Sequence, residues 1–194
     1  MKVESLFPTA FCQLENPFLA ARLKKPVEDI LSDEELLSPF LTYDSTFDPR
    51  CQIEDKIELP KVFDEFKEYA YNNSINFLSK IGYDVDAMEL SIEFGLNKMN
   101  RGDRHQKHVH SGCVLTGTFY VDFPEGSSPL VLHDPRLHRE MLPYPKKKTE
   151  FVNDRYVTEI KTGSMCLLES YVAHEVMTNN TDGRLVILFN ILNR

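Results

Sequence analysis

Between residues 81 and 88 the hydrophobic period of this chain changes from that of a helix to that of a strand. Upstream, Val62, Phe66, Tyr69, Ala70, Asn73, Phe77 and Ile81 fall at steps of three and four, with only Asn73 polar among them. That spacing puts side chains on one helical face and predicts a helix from Pro60 to Ile81, with Gly82 as its stop. Downstream, Met88, Leu90, Ile92, Phe94 and Leu96 alternate with Glu89, Ser91, Glu93, Gly95 and Asn97. Alternation of that kind predicts a half-buried strand.

The strand period persists to the end of the chain. Short apolar runs occur at 114–123, 130–132, 155–160, 165–168, 174–177 and 184–191, and turn residues such as Pro124-Glu125-Gly126, Thr162-Gly163 and Asn180-Thr181-Asp182-Gly183 separate most of them. The pattern predicts a mainly β fold with flanking α: a double-stranded β-helix (jelly roll) with N-terminal helices packed on one sheet. A length of 194 residues suits one domain. Residues 1–85 would form a helix-rich part covering the sheet, and 86–194 the jelly-roll core. Within the first part, Leu6–Cys12 reads as an edge strand, because Pro8 cannot donate to a central ladder. Pro26 would open a helix over 26–37, and 40–59 has no clear period. Arg136 to Thr149, which includes His138, reads as a long surface loop.

A net charge of −8 argues against a nucleic-acid partner, which would need a surplus of Lys and Arg. Lys146-Lys147-Lys148 reads as a solvated loop. Cys12, Cys51, Cys113 and Cys166 form no C-x-x-C pair, so they fit reduced thiols in a cytoplasm. No apolar run approaches the ~20 residues of a membrane span, and the first residues lack a signal-peptide core.

The chemistry-bearing residues are few. His108 and His110, two apart, would share a strand face, whereas His105 would project to the other. His174 lies 66 residues after His108, and Arg184 ten residues after His174. Brought together, they would make a metal site with an anion anchor beside it. Imidazole suits iron, zinc, copper and nickel, so ligand type alone does not choose the metal. A bare H-x-H equally describes hydrogen-bonded surface histidines, and a strand-end arginine equally describes a surface ion pair.

Taken with Gly163 through His174 and Arg184 through Asn190, the histidines resemble the 2-oxoglutarate and Fe(II)-dependent dioxygenases. The similarity is greatest to an oxygenase family that opens with Leu-Phe-Pro-Thr, here Leu6 to Thr9. That family's central block corresponds to His108-Val109-His110 and Thr116-Gly117-Thr118-Phe119-Tyr120. The resemblance implies Fe(II) held by His108, His110 and His174, and Arg184 paired with the distal carboxylate of 2-oxoglutarate. Arginine suits that task because its planar fork stays charged and binds carboxylates bidentately. Tyr120 and Asn190 are candidates to hydrogen-bond the cosubstrate. The implied activity is hydroxylation of an unidentified small molecule or peptidyl side chain, coupled to oxidative decarboxylation of 2-oxoglutarate to succinate.

The chain departs from the superfamily at two positions. His110 stands where Asp or Glu completes the usual two-histidine, one-carboxylate set. Either His110 is the third ligand, or a carboxylate such as Asp103 or Asp122 replaces it. Val186 stands where a serine often follows the arginine. Three histidines also describe a catalytic zinc site or a cupin-like metal-binding protein, although the glutamate a cupin wants is missing from Ser111 to Tyr120. A non-catalytic jelly-roll interaction module is the other alternative. No membrane partner is expected, and an N-terminal edge strand could pair two copies into a homodimer.

Overall fold

The computed structural model describes residues 1–33, 58–136, 141, 143, 146, 147, 149 and 151–194. The first strand, β1 (Phe11–Glu15), is an edge strand but begins later than the Leu6–Cys12 expectation. Phe7 sits at φ 57°, in the left-handed region, so the chain cannot run extended through it. Helix α1 (Pro17–Leu31) likewise starts well before the anticipated 26–37. Its start signal is Asn16-Pro17: the Asn16 side chain accepts the Leu19 N–H at 3.0 Å, and Pro17 occupies the first turn. Pro26 therefore lies inside the helix. A mid-helix proline costs about 3 kcal/mol. The buried stripe of Leu19, Ala20, Leu23, Val27 and Ile30 runs straight past it, and burial contributes roughly 1.5–3 kcal/mol for each large member. The stripe wins. Residues 34–37 of the anticipated helix, and the irregular stretch before 58, lie outside the described residues.

Helix α2 (Val62–Ile81) ends as anticipated at Gly82, whose φ of 106° lets Gly82 and Tyr83 cap the carbonyls of Ser79 and Leu78. Its buried face includes Phe63, Ser74 and Leu78, so it is turned slightly from the Asn73–Ile81 line. Ser74 is tolerated there because its hydroxyl donates to the Ala70 carbonyl at 2.7 Å.

Eight further strands follow: β2 (Leu90–Met99), β3 (His105–His108), β4 (Leu115–Asp122), β5 (Leu130–His133), β6 (Arg155–Val157), β7 (Ser164–Glu169), β8 (His174–Val176) and β9 (Arg184–Asn193). They form two antiparallel sheets, ordered β1-β7-β4-β9-β2 and β3-β8-β5-β6. His133-Asp134-Pro135-Arg136, after β5, is a turn closed by Asp134, which accepts the Arg136 N–H at 2.9 Å. Of the long loop, Arg136, Met141, Pro143, Lys146, Lys147 and Thr149 are described, and His138 lies outside the described residues.

Register determines which residues reach the space between the sheets. Strand β9 runs between β4 and β2, pairing Thr116 with Asn190, Tyr120 with Val186, and Met99 with Arg184. Leu185, Ile187, Phe189 and Ile191 point to the helices, joining Phe66, Phe94 and Phe119 in one core. Phe66 lies 5.7–5.8 Å from the rings of Phe94, Phe119 and Phe189. Val186 points the other way, into a second core with Tyr120, Leu130 and Val176. The polar side of β2 does not face water throughout: Asn97 and Met99 are buried between the sheets. Among the described residues no helix is long and apolar enough to cross a membrane.

Gly117 is the tightest point of this packing. A Cβ built there would lie 2.1 Å from Cζ of Phe189, whose ring lies against the glycine. Gly117→Ala should cost about 1–3 kcal/mol through overpacking. Urea unfolding of the two proteins measures it, and an unchanged midpoint would contradict this packing account.

Candidate metal centre

Strands β3 and β8 place His108 directly opposite His174, with ring centroids 4.4 Å apart. His110 lies beyond the end of β3 and is anchored by its backbone N–H, donated to the Ser170 carbonyl at 3.0 Å. Its ring comes within 5.0 Å of His108 and 5.1 Å of His174, centroid to centroid. The candidate ligand atoms of the three lie within 4.8 Å of one another. So the pair converges because the chain leaves the strand after His108, rather than by the simple alternation anticipated.

Each ring has its Nδ1 next to an oxygen. His108 Nδ1 is 2.7 Å from the Gln106 carbonyl, His174 Nδ1 is 2.9 Å from the Val172 carbonyl, and His110 Nδ1 is 2.8 Å from Asn190 Oδ1. An oxygen acceptor at Nδ1 places the proton there and leaves the lone pair on Nε2. The Nε2 atoms of His108 and His110 are 3.1 Å apart. Two lone pairs at that distance repel unless a cation lies between them. Imidazole nitrogens about 2 Å from one shared ion would be separated by about that much. The cluster fits a divalent metal.

Burial favours the neutral, metal-binding form. It holds His174 down to about 3, aided by the neighbouring histidines and opposed by the Val172 hydrogen bond. His110 is also lowered by burial, against the effect of Asn190.

His105 corrects an expectation. Its ring stacks on His108 at 4.2 Å rather than projecting away, because the β3–β8 register shifts between these two residues and breaks the alternation. The carboxylates considered as replacement ligands lie elsewhere. Asp103 accepts the Asn100 N–H, and Asp122 pairs with Lys24 at 2.7 Å.

Arg184 is 2% exposed. Its Nη1 lies 3.0 Å from Met99 Sδ and its guanidinium carbon 5.2 Å from the Tyr120 ring centroid. Among the described residues it has no carboxylate partner, and its Nε and the Tyr120 hydroxyl have no hydrogen-bond partner. A buried guanidinium without a counter-charge is costly and calls for an anion. One pocket joins it to the histidines, lined also by Asn97, Thr118, Val186 and Leu188. Asn190 is placed differently from the cosubstrate contact anticipated for it. Its Oδ1 faces His110 and its Nδ2 donates to Glu93 Oε1 at 3.0 Å. Glu93 escaped sequence reasoning because β2 alternation shows only that it is polar, and its partner is 97 residues away.

A family model described as "Putative 2OG-Fe(II) oxygenase" matches residues 94–190, half of the chain. The chain belongs to the 2OG-Fe(II) oxygenases. This oxygenase therefore uses Fe(II) and 2-oxoglutarate, coupling oxidative decarboxylation of 2-oxoglutarate to hydroxylation of a substrate, and the cupin-like and non-catalytic alternatives fall away. Solved structures with the same fold include a prolyl-4-hydroxylase from Pseudomonas putida, at 12% identity and TM-score 0.62, with 96% of this chain and 89% of that one covered. AviO1 from Streptomyces viridochromogenes Tue57 matches at 16% identity and TM-score 0.64, covering 95% and 90%. EctD from S. alaskensis with 2-oxoglutarate and 5-hydroxyectoine matches at 16% and 0.64, covering 95% and 72%. At such identities the likeness concerns the fold. No curated protein matches the oxygenase in sequence.

The buried, neutral His174 links stability to pH in the metal-free protein. Its folded value of about 3 lies below the ordinary 6.5. The unfolded chain therefore binds the extra proton between those values, and stability falls as pH drops below about 6.5. The slope attributable to this residue is at most about 1.4 kcal/mol per pH unit. Urea unfolding of chelator-treated protein at pH 7 and pH 5 should show a smaller loss for His174→Gln than for the wild type. Equal losses would refute the linkage.

Proposed function

We propose that His108, His110 and His174 hold the Fe(II) of this oxygenase through their Nε2 atoms, and that Arg184 receives the distal carboxylate of 2-oxoglutarate. The convergence of one nitrogen from each of the three histidines, with every ring's Nδ1 against an oxygen, carries the assignment. The bound metal and cosubstrate supply oxygen activation, with 2-oxoglutarate oxidised to succinate and carbon dioxide while the substrate gains a hydroxyl.

The chain's own residues bind, orient and dry the site. Arg184 offers a fixed fork whose charge survives burial. Tyr120, fully buried with its pKa pushed up by burial, stays protonated and can donate to the same carboxylate. Leu130, Val176, Val186 and Leu188 supply the apolar part of the pocket beside the histidines. Val186 supplies no hydroxyl, so the carboxylate would rely on Arg184 and Tyr120.

Val172, whose carbonyl holds His174, also lines a cavity of about 380 Å³ between the Ser5–Phe11 segment and the ends of β5 and β6. That size suits a small molecule or one peptidyl side chain; His108, His110, His174 and Arg184 line the separate pocket, so a substrate held in this cavity would have to extend past Val172 to reach them. The net charge of −8 makes nucleic acid an unsuitable partner. The free thiols at Cys12, Cys113 and Cys166 are compatible with a cytoplasmic setting. Strand β1, at the sheet edge, is where two copies would pair if the enzyme dimerises.

Anaerobic titration with Fe(II) and 2-oxoglutarate should produce the weak visible band of a keto-acid chelate, and aerobic turnover should release succinate. Arg184→Ala should weaken 2-oxoglutarate binding about 10- to 100-fold, the range for losing hydrogen bonds to a charged group, with Fe(II) binding retained. His174→Ala should lose the metal. No band in the wild type, together with no effect of Arg184→Ala, would overturn the assignment.

A further inference from the structure

We propose that Glu93 is a positioning residue for the metal: acting through Asn190, it sets the tautomer of His110 and supplies the negative charge that an all-imidazole ligand set lacks. The inference rests on His110 being a metal ligand. Glu93 and Asn190 are directly opposed in the β2–β9 register, on the face turned toward the histidines. Asn190 is 5% exposed, and Glu93 and His110 are half-buried. The contacts run in one direction. An ionised carboxylate only accepts hydrogen bonds, so the Asn190 end that meets Glu93 Oε1 at 3.0 Å must be the NH₂. The amide oxygen then faces His110 Nδ1 at 2.8 Å. An oxygen there obliges Nδ1 to carry the proton, which frees Nε2 for the metal.

The same chain carries charge. Backbone carbonyls hold His108 and His174. His110 is the ring tied through an amide to a carboxylate. Polarisation along hydrogen-bonded groups increases the basicity of a ligating imidazole. Glu93 thus supplies, three groups away, part of the negative charge that three neutral imidazoles do not carry. Replacing it with glutamine keeps size and shape but removes the reason for the Asn190 amide to point one way. The amide can then turn its NH₂ toward His110 Nδ1, which moves the ring proton to Nε2 and blocks the metal.

Co(II) affinity of the full chain, measured by competition with a chromophoric chelator, tests the proposal. Glu93→Gln should weaken Co(II) binding about 10- to 100-fold, the usual range for the partner of a ligating histidine. Adding Asn190→Asp to Glu93→Gln moves the carboxylate onto His110 Nδ1–H itself and should restore binding to near wild type, which a merely structural role would not do. If Glu93→Gln binds as the wild type does while His110→Ala binds poorly, this inference fails and the ligand assignment stands. If His110→Ala also binds like the wild type, the ligand assignment itself fails. Nitrogen-15 NMR of histidine-labelled, metal-free wild type gives a reading independent of any variant's folding. His110 should be the Nδ1–H tautomer at neutral pH, and the Nε2–H tautomer would overturn the proposal.

Discussion

Strand β9 holds the molecule together by sending alternate side chains to two incompatible environments. Leu185, Ile187, Phe189 and Ile191 enter the apolar layer beneath the helices, while Arg184 and Asn190 enter the space between the sheets. A shift of one residue in its pairing would bury the guanidinium among phenylalanines and turn the site's anchor away. The ten paired positions with β2 and the pairing with β4 on the other side hold that register. The Phe189 ring, seated over Gly117, adds a steric lock, since no other residue leaves room for it.

The interior between the sheets carries an unusual load of polar groups, and they divide by how well they are satisfied. The three clustered histidines each have an oxygen at Nδ1, so their orientation is settled before any metal arrives. Preorganisation of that kind lowers the ordering cost of binding. Arg184 is the opposite case. It is among the largest fully buried side chains, and its contacts are a thioether and an aromatic face rather than an anion. Such an arrangement is unfavourable in isolation, and an anion at the guanidinium would relieve it. At one end of the pocket the ring Nδ1 atoms are all partnered, and at the other Arg184 Nε and the Tyr120 hydroxyl are not.

Much of the architecture was legible from periodicity. The helical stripe over 62–81, the alternation from 88 and the spaced apolar runs after 114 all match elements of the fold, because burial on one face leaves a direct imprint on residue order. Helix α1 starts earlier than the local signal at Pro26 implies. Pro26 reads locally as a first-turn proline that opens a helix, yet the apolar stripe of Leu19, Ala20, Leu23, Val27 and Ile30 runs through it at helical spacing, and the burial of that stripe outweighs the proline. Strand β1 begins later than Leu6–Cys12 because the backbone at Phe7, at φ 57°, leaves the extended region.

By itself the sequence determined the fold class and singled out His108, His110, His174 and Arg184 as candidates, because these depend on residue type and on spacings that a strand or turn must respect. Only the tertiary structure decided how the rings are oriented, that His105 stacks on His108, that Asn190 turns to His110, and that Glu93 stands behind it. Those outcomes depend on register between strands distant in the chain and on a bulge that breaks alternation. Hydrogen bonds form between groups at fixed distances and angles in space, and separation along the chain does not encode them.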